Sequence, residues 1–123
     1  GPIYLKKKLQ LNGSANDIFE RCNVIIQNMI IEILSNDIKP VKQTGQPTFF
    51  KRRKPKDGNI TKLENLNDVY NYIRMLDHKI YPNAFLTTDN LKFEFKKAKD
   101  NGNSITANVK ISKRDNHEKN KNK

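Results

Sequence analysis

The stretch FKRRKPKDG at residues 50–58 is followed by YNYIRMLDHKIYPNAF at residues 70–85. The PKDG sequence of the first stretch favours a tight turn, and the YP pair in the second ends a helix. Asn65 or Asn67 can cap that helix, which we expect to run to about His78. The two stretches therefore predict a basic loop, a short helix and an aromatic–proline turn.

A longer helix is predicted upstream. Ser14 and Asp17 form a capping-box pattern with Asp in place of the usual Glu, and the helix should run from about Ala15 to Ser35. Apolar residues then recur at intervals of three and four, which indicates one broad apolar face. That face comprises Ile18, Phe19, Cys22, Ile25, Ile26, Met29, Ile30, Ile33 and Leu34.

Alternating patterns predict the strands. Ile3–Leu11 is predicted as a strand, although Lys7 falls on its apolar side. Leu91–Phe95 and Ile105–Ile111 alternate around a DNGN sequence, so we expect a β-hairpin there. Ala84–Thr87 is a candidate third strand. Residues 38–50 contain two prolines and a glycine and are predicted to be an extended connector.

The chain is strongly basic. Its 123 residues include 24 Lys and Arg against 13 Asp and Glu, for a formal net charge of +11. Clustered cations attract nucleic-acid phosphates. However, only five of these cations are Arg, the residue suited to bidentate phosphate contacts. The composition therefore argues against direct nucleic-acid binding.

The sequence contains no complete set of catalytic or metal-binding side chains. Cys22 lies on the apolar helix face, where a core role is expected, and a lone cysteine fits a reducing compartment. His78 lacks the neighbouring ligands of a metal site. The longest apolar run is too short and too polar to span a bilayer. We therefore predict no catalytic residue, no metal, no membrane contact and a cytoplasmic location.

Arginines are the better candidates for a binding site. Arg52 and Arg53 precede a proline turn, which lowers the entropy lost in holding an anion. Arg74 lies three residues before Asp77, so the two can form a helical ion pair. If partly buried, that pair would instead orient Arg74 toward a phosphate or carboxylate. Tyr81 is either a hydrophobic anchor or a stacking platform. We predict that Arg52, Arg53, Arg74 and Tyr81 bind substrate, with a structural role as the alternative.

Taken in order, several motifs resemble the formyltransferase family over residues 1 to 111. They are Gly1-Pro2-Ile3-Tyr4, Gly13-Ser14-Ala15 with the long helix, Gln43-x-Gly45, Phe50-x-Arg52-Arg53-x-Pro55-x-Asp57-Gly58, and Ile73-Arg74 with Tyr81-Pro82-x-Ala84-Phe85. The resemblance implies transfer of a formyl group from 10-formyltetrahydrofolate to an amine. The family's catalytic Asn, His and Asp lie in an N-terminal domain and have no counterpart here. The resemblance thus implies a C-terminal portion that is inactive without the missing half, which also holds most of the folate pocket.

Within that family, chain length indicates the acceptor. Methionyl-tRNA formyltransferases carry a sizeable β-barrel after the linker, whereas only 38 residues follow Phe85. This favours the amine of a nucleotide-linked amino sugar as the acceptor. The alternative is an aminoacyl-tRNA acceptor, as in methionyl-tRNA formyltransferase. Oligomerisation is left open.

The predicted fold class is α/β, more closely an α+β fragment. Residues 1–50 would be the end of a Rossmann-like formyltransferase domain with its long helix. Residues 51–111 would form the linker, the short helix and a small antiparallel β subdomain. Residues 112–123 would be a disordered basic tail.

Two other classes of function compete with this interpretation. A small basic nucleic-acid-binding module would need Phe93 and Phe95 exposed as stacking groups. However, both lie on the same strand face as Leu91, which favours a core role. A partner-binding adaptor would instead leave the isoleucine-rich face of the long helix uncovered.

Overall fold

Helix α1 occupies Ala15–Ser35, as the sequence predicts, in the computed structural model, which describes residues 1–114. Its N-terminus carries the predicted capping box. The Ser14 backbone N–H donates to Asp17 Oδ2 at 2.8 Å, and the Asp17 N–H donates to Ser14 Oγ at 3.3 Å. The bonds from the Ser14 backbone and side chain lower the pKa of the Asp17 carboxyl below its ordinary value.

The prediction of a strand at Ile3–Leu11 is wrong. Only Ile3 pairs there, through an isolated antiparallel bridge to Val41 with both N–O distances 2.8 Å. Polar contacts with α1 hold the rest of the segment. Lys7 Nζ lies 2.7 Å from a Glu32 carboxylate oxygen, and the Arg21 guanidinium donates to the carbonyls of two residues near the end of the segment. Lys7, the residue that broke the alternation, thus contacts the helix.

Part of the predicted apolar face of α1 is uncovered, and so are two apolar residues outside that face, Val24 and Ile31. Ile18 is buried, but large apolar side chains along the helix remain exposed. The exposed ones are Phe19, Val24, Ile26, Ile30, Ile31 and Leu34. No helix among residues 1–114 combines the length and apolar character needed to cross a membrane. An exposed apolar surface on α1 is what the partner-binding adaptor hypothesis predicted.

The chain divides into two compact units, Gly1–Arg52 and a second that begins at Arg53. The second unit opens with a 3₁₀ turn at Pro55–Gly58, followed by helix α2 at Leu66–Met75. Asn65 caps α2 by accepting the Asp68 N–H at 2.8 Å. At its other end α2 stops at Met75, three residues before the predicted end at His78.

Three strands complete the second unit: β1 (Ala84–Thr87), β2 (Leu91–Asp100) and β3 (Ile105–Lys113). They form an antiparallel sheet in the order β1-β2-β3. The predicted hairpin and third strand are confirmed. The tail was predicted to start at residue 112, but β3 continues through Lys113, and the remainder from residue 115 lies outside the described residues.

The core of the second unit lies between α2 and one face of the sheet. Ile73 on α2 packs with Ile60 and Ala84, and Phe95 is among the side chains against this cluster. Because side chains alternate along a strand, Phe93 shares the face of Phe95. The core role expected for these two phenylalanines fits this packing. The opposite face of the sheet remains open to a binding site.

Candidate anion-binding cleft

A surface cavity of about 360 Å³ lies on the face of the sheet opposite the core. The 3₁₀ turn, the loop before β1, the first two strands and the residue after β3 all contribute to it. Its lining residues are Lys54, Pro55, Lys56, Pro82, Asn83, Phe85, Thr87, Lys92, Glu94 and Arg114. We call this cavity the basic cleft, because four cationic side chains in it face a single carboxylate.

Sheet register places the strand residues of the basic cleft together. Phe85 pairs with Glu94 and Thr87 pairs with Lys92 across β1 and β2. Directly opposed side chains lie on the same sheet face, so all four point away from the core. Lys92 Nζ lies 5.0 Å from the centroid of the Phe85 ring, a cation–π distance. The cleft therefore combines an aromatic floor with a positive charge.

The turn that supplies Lys54 and Lys56 is held firmly. Asp57 Oδ2 accepts the Lys54 N–H at 2.7 Å, and its carbonyl accepts from the Arg53 guanidinium at 3.0 Å. Gly58 is buried at the end of the turn, where an added Cβ would lie 3.2 Å from Leu76 Cδ1. A fixed backbone keeps the two lysine side chains anchored at the rim.

Arg114 closes the other side of the basic cleft. Its backbone N–H donates to the Asn90 carbonyl at 2.9 Å, and Nη1 donates to the Thr88 carbonyl at 3.3 Å. Its Nε atom is buried without a hydrogen-bond partner in the part of the chain that the structure describes. The two hydrogen bonds hold the guanidinium beside the other cations of the cleft, and such a cluster of positive charge favours an anionic oxygen as a ligand.

A second cavity of about 250 Å³ continues the basic cleft across the sheet. It shares Asn83 and Glu94 with the first and adds two lysines, Lys96 and Lys110. The outer face of the sheet thus presents a cationic strip that is longer than one phosphate group.

The residues predicted from sequence do not line this strip. The Arg53 guanidinium lies 4.9 Å from the Tyr72 ring centroid, and that of Arg74 lies 5.6 Å from Tyr70. Positions 70 and 72 are about 200° apart around a helix, so the two arginines pack on different sides of α2. Arg52 is exposed. Their role in binding stays a prediction.

Asp77 and Tyr81 each have a partner within the second unit. Asp77 Oδ2 accepts the Lys97 N–H at 2.8 Å, while Arg74 Nε donates to Asn71 Oδ1 at 2.8 Å. Lys97 has φ +53° and lies where the β2–β3 register shifts, so Asp77 stabilises a β-bulge. The Tyr81 ring lies 5.7 Å from that of His78.

Sequence reasoning missed the cleft for identifiable reasons. The alternation that places Phe93 and Phe95 in the core also implies that Phe85 points outward, once its pairing with Glu94 is known. Arg114 was assigned to a disordered tail. Only the fold brings the turn, β1, β2 and the end of β3 to one face.

These features define the chain as a small α+β protein with a cationic cleft. Residues 55–112 match the family model described as "Methionyl-tRNA formyltransferase, C-terminal domain". The solved structure of a methionyl-tRNA formyltransferase from Clostridium thermocellum matches with a TM-score of 0.86 and 39% identity, covering 92% of this chain. The chain belongs to the formyltransferase family and corresponds to its C-terminal portion.

The match includes only part of the Clostridium thermocellum protein. The chain covers 50% of the Clostridium thermocellum structure. A search of curated proteins found no match. The α+β fold class expected from the sequence is confirmed by the observed helices and three-stranded antiparallel sheet.

Proposed function

We propose that this chain is the C-terminal portion of a methionyl-tRNA formyltransferase and that it contributes to holding the tRNA. The observation that carries the proposal is the match to the Clostridium thermocellum enzyme across 92% of the chain. The family model for residues 55–112 points to the same branch of the family. The acceptor would then be the amine of an aminoacyl-tRNA.

A nucleotide-linked amino sugar, the acceptor first expected, has no support from either comparison. That expectation depended on the 38 residues after Phe85 being too few for a barrel. The structure of a methionyl-tRNA formyltransferase nevertheless matches 92% of this chain. The number of residues after Phe85 therefore does not separate the two branches, and we replace the sugar acceptor with tRNA.

The basic cleft supports the same proposal through its charge. Lysines and arginines that neutralise phosphates release condensed counterions, which supplies sequence-independent affinity for nucleic acid. The scarcity of arginine weighed against nucleic-acid binding in the sequence. However, Lys54, Lys56, Lys92 and Arg114 converge on one cavity, and convergence matters more than the overall proportion of arginine.

Formyl transfer itself is not assigned to this chain. The chain covers 50% of the Clostridium thermocellum structure. We infer that the cofactor and the amine-activating groups belong to the half of the family's fold that this chain does not cover, in a cytoplasmic enzyme. The 123 residues alone would then be inactive.

The uncovered face of α1 supports this division. A helix that is apolar around most of its surface is normally buried on several sides. Ile31 and Leu34 are 61% and 81% exposed. We infer that the remaining half of the formyltransferase fold covers them. Mixing the chain with that half of the Clostridium thermocellum enzyme should give a co-eluting complex, and Ile31→Asp should abolish it.

A tRNA-binding titration tests the proposed function. The 123-residue chain should bind a labelled initiator tRNA at low salt, with an affinity that falls steeply as salt rises. The paired change Lys54→Ala and Lys56→Ala should lower the slope of log K against log salt by about 2, because each phosphate contact contributes about 0.9. Saturable binding of a nucleotide-linked amino sugar, without tRNA binding, would reject the proposal.

The matched control uses two lysines outside the cleft. Lys62 and Lys79 are exposed in the same unit and do not line the cleft. Replacing both by alanine removes the same charge but should lower the slope by less than half as much. Equal effects of the two pairs would show that net charge, and not the cleft, governs binding.

A further inference from the structure

We propose that the basic cleft accepts one unpaired nucleotide of the bound RNA, with its base stacked on Phe85. This inference rests on the proposed function and makes it more specific. The cleft would then recognise more than the phosphate backbone, because a base enters it only where the RNA is unpaired. The ligand is a single-stranded or looped-out nucleotide carrying an exocyclic amino group.

The size and walls of the cavity suit a nucleotide. At about 360 Å³ it lies at the lower end of the range for small-molecule sites, which begins at about 300 Å³. Pro55, Pro82 and Phe85 supply apolar surface, while the cations stand around it. A double helix is much wider than such a cavity, so only an extruded base can use its apolar wall.

Phe85 is placed on the face of the sheet that does not form the core. Its cross-strand partner is Glu94, whereas the core-facing residue Ala84 pairs with Phe95. An aromatic ring among polar side chains on an open sheet face is the arrangement with which RNA-binding sheets stack bases. The nearby Lys92 ammonium can pass from the ring to a phosphate when a base stacks there.

The polar groups beside the ring favour particular bases. Asn83 Nδ2 donates to the Leu76 carbonyl at 3.2 Å, which fixes its amide and leaves Oδ1 as an acceptor. The Glu94 carboxylate, when ionised, accepts hydrogen bonds and donates none. Two acceptors suit the amino group that adenine, cytosine and guanine present. Uracil has no amino group and presents one N3–H donor between two carbonyl acceptors, so it matches the two acceptors less well.

Phosphate contacts complete the proposed site. The Arg114 guanidinium and the two turn lysines line the same cavity. A nucleotide stacked on Phe85 would bring its flanking phosphates among these cations. Stacking and charge neutralisation then act on one nucleotide, and their contributions can be separated by changing the ring and the cations independently.

The test compares three fluorescently labelled RNA hairpins that differ only at one end. One is blunt, one carries an unpaired adenosine extension and one an unpaired uridine extension. The wild-type chain should bind the adenosine-extended hairpin about 5- to 150-fold more tightly than the blunt one, as expected for stacking of one base. It should bind the uridine-extended hairpin with a smaller advantage.

Two variants assign the effect to residues. Phe85→Leu should remove the advantage of the extension while leaving the salt slope of blunt-hairpin binding unchanged. Glu94→Gln should narrow the preference for adenosine over uridine while keeping the advantage of an extension. Phe93→Leu is the matched control, since the same change on the core face should leave the advantage intact. Amide spectra of the sheet verify that each variant is folded.

The outcomes separate this inference from the proposed function. Equal binding of blunt and extended hairpins by the wild-type chain, with a normal salt slope, would overturn the nucleotide site but leave tRNA binding standing. An extension advantage that survives Phe85→Leu in a folded protein would also overturn it. Absence of binding to every RNA would overturn both proposals.

Discussion

Replacing Ile73 by alanine gives the sharpest test of the packing described for the second unit. Ile73 is 2% exposed and is the large side chain most completely buried among residues 1–114. It lies in the cluster with Ile60 and Ala84, which joins α2 to the sheet. Removing its side chain beyond Cβ therefore opens a cavity at the centre of this contact.

The expected loss is about 2–5 kcal/mol for Ile73→Ala and about 0.5–1.5 kcal/mol for Ile73→Val. Small domains have a free energy of unfolding of only about 5–15 kcal/mol, so the alanine variant would lose a large part of it. Urea titration followed by the amide resonances of β2 measures this loss in the second unit alone, which avoids assuming that the two units unfold together.

The control is Ile80→Ala, because Ile80 is 68% exposed in the same unit. A surface change of this kind should shift the free energy of unfolding by no more than about 0.5 kcal/mol. The graded order, with alanine at position 73 worse than valine and both worse than alanine at position 80, is the prediction. Equal effects at the two positions would refute the assignment of Ile73 to the core.

Substitutions at three further positions test individual contacts. Asp77→Ala should destabilise the second unit by about 0.5–1.5 kcal/mol and speed hydrogen exchange of the Lys97 amide, whereas Asp77→Asn, which keeps an acceptor, should have a smaller effect. Gly13→Ala should cost at least about 1–2 kcal/mol in urea unfolding, because Gly13 has φ +86° and an added Cβ would lie 2.7 Å from Asp17 Oδ2. Because the folded-state pKa of Asp17 is lowered, its cap should stabilise α1 above pH 3.8 and lose this effect as the pH falls further. Ser14→Ala keeps the backbone N–H bond and removes only the hydroxyl bond, so NMR titration should show the pKa of Asp17 rising part of the way to its ordinary value. An unchanged pKa would contradict the contribution of the Ser14 hydroxyl.

Local patterns were sufficient for most of the secondary structure. The bounds of α1 follow from Ser14, Asp17 and a long apolar repeat, because a helix is specified by neighbours within one or two turns. The hairpin follows from alternation, which records the difference between core and solvent faces. Ile3–Leu11 failed because its lysine-rich pattern is weak and α1 supplies polar partners that the local sequence does not reveal.

Side-chain partners were harder to predict than elements. Arg74 and Asp77 looked like an ion pair because they are three residues apart on a helix. The chain instead brings Lys97, twenty residues later, to the Asp77 carboxylate. Lys97 adopts a positive φ at the β-bulge, and a lysine in the sequence does not indicate such a backbone conformation. Residue spacing therefore could not predict the contact between Asp77 and Lys97.

Residue types and their short-range order were enough to predict the helices, the hairpin, the basic charge and the resemblance to formyltransferases. Which cations lie together depends instead on the folded arrangement of distant segments. Lys54 and Arg114 are sixty positions apart and line one cleft only because the turn and the strands fold to the same sheet face. A binding site of this kind forms where distant residues meet in the fold, so their separation along the chain does not predict it.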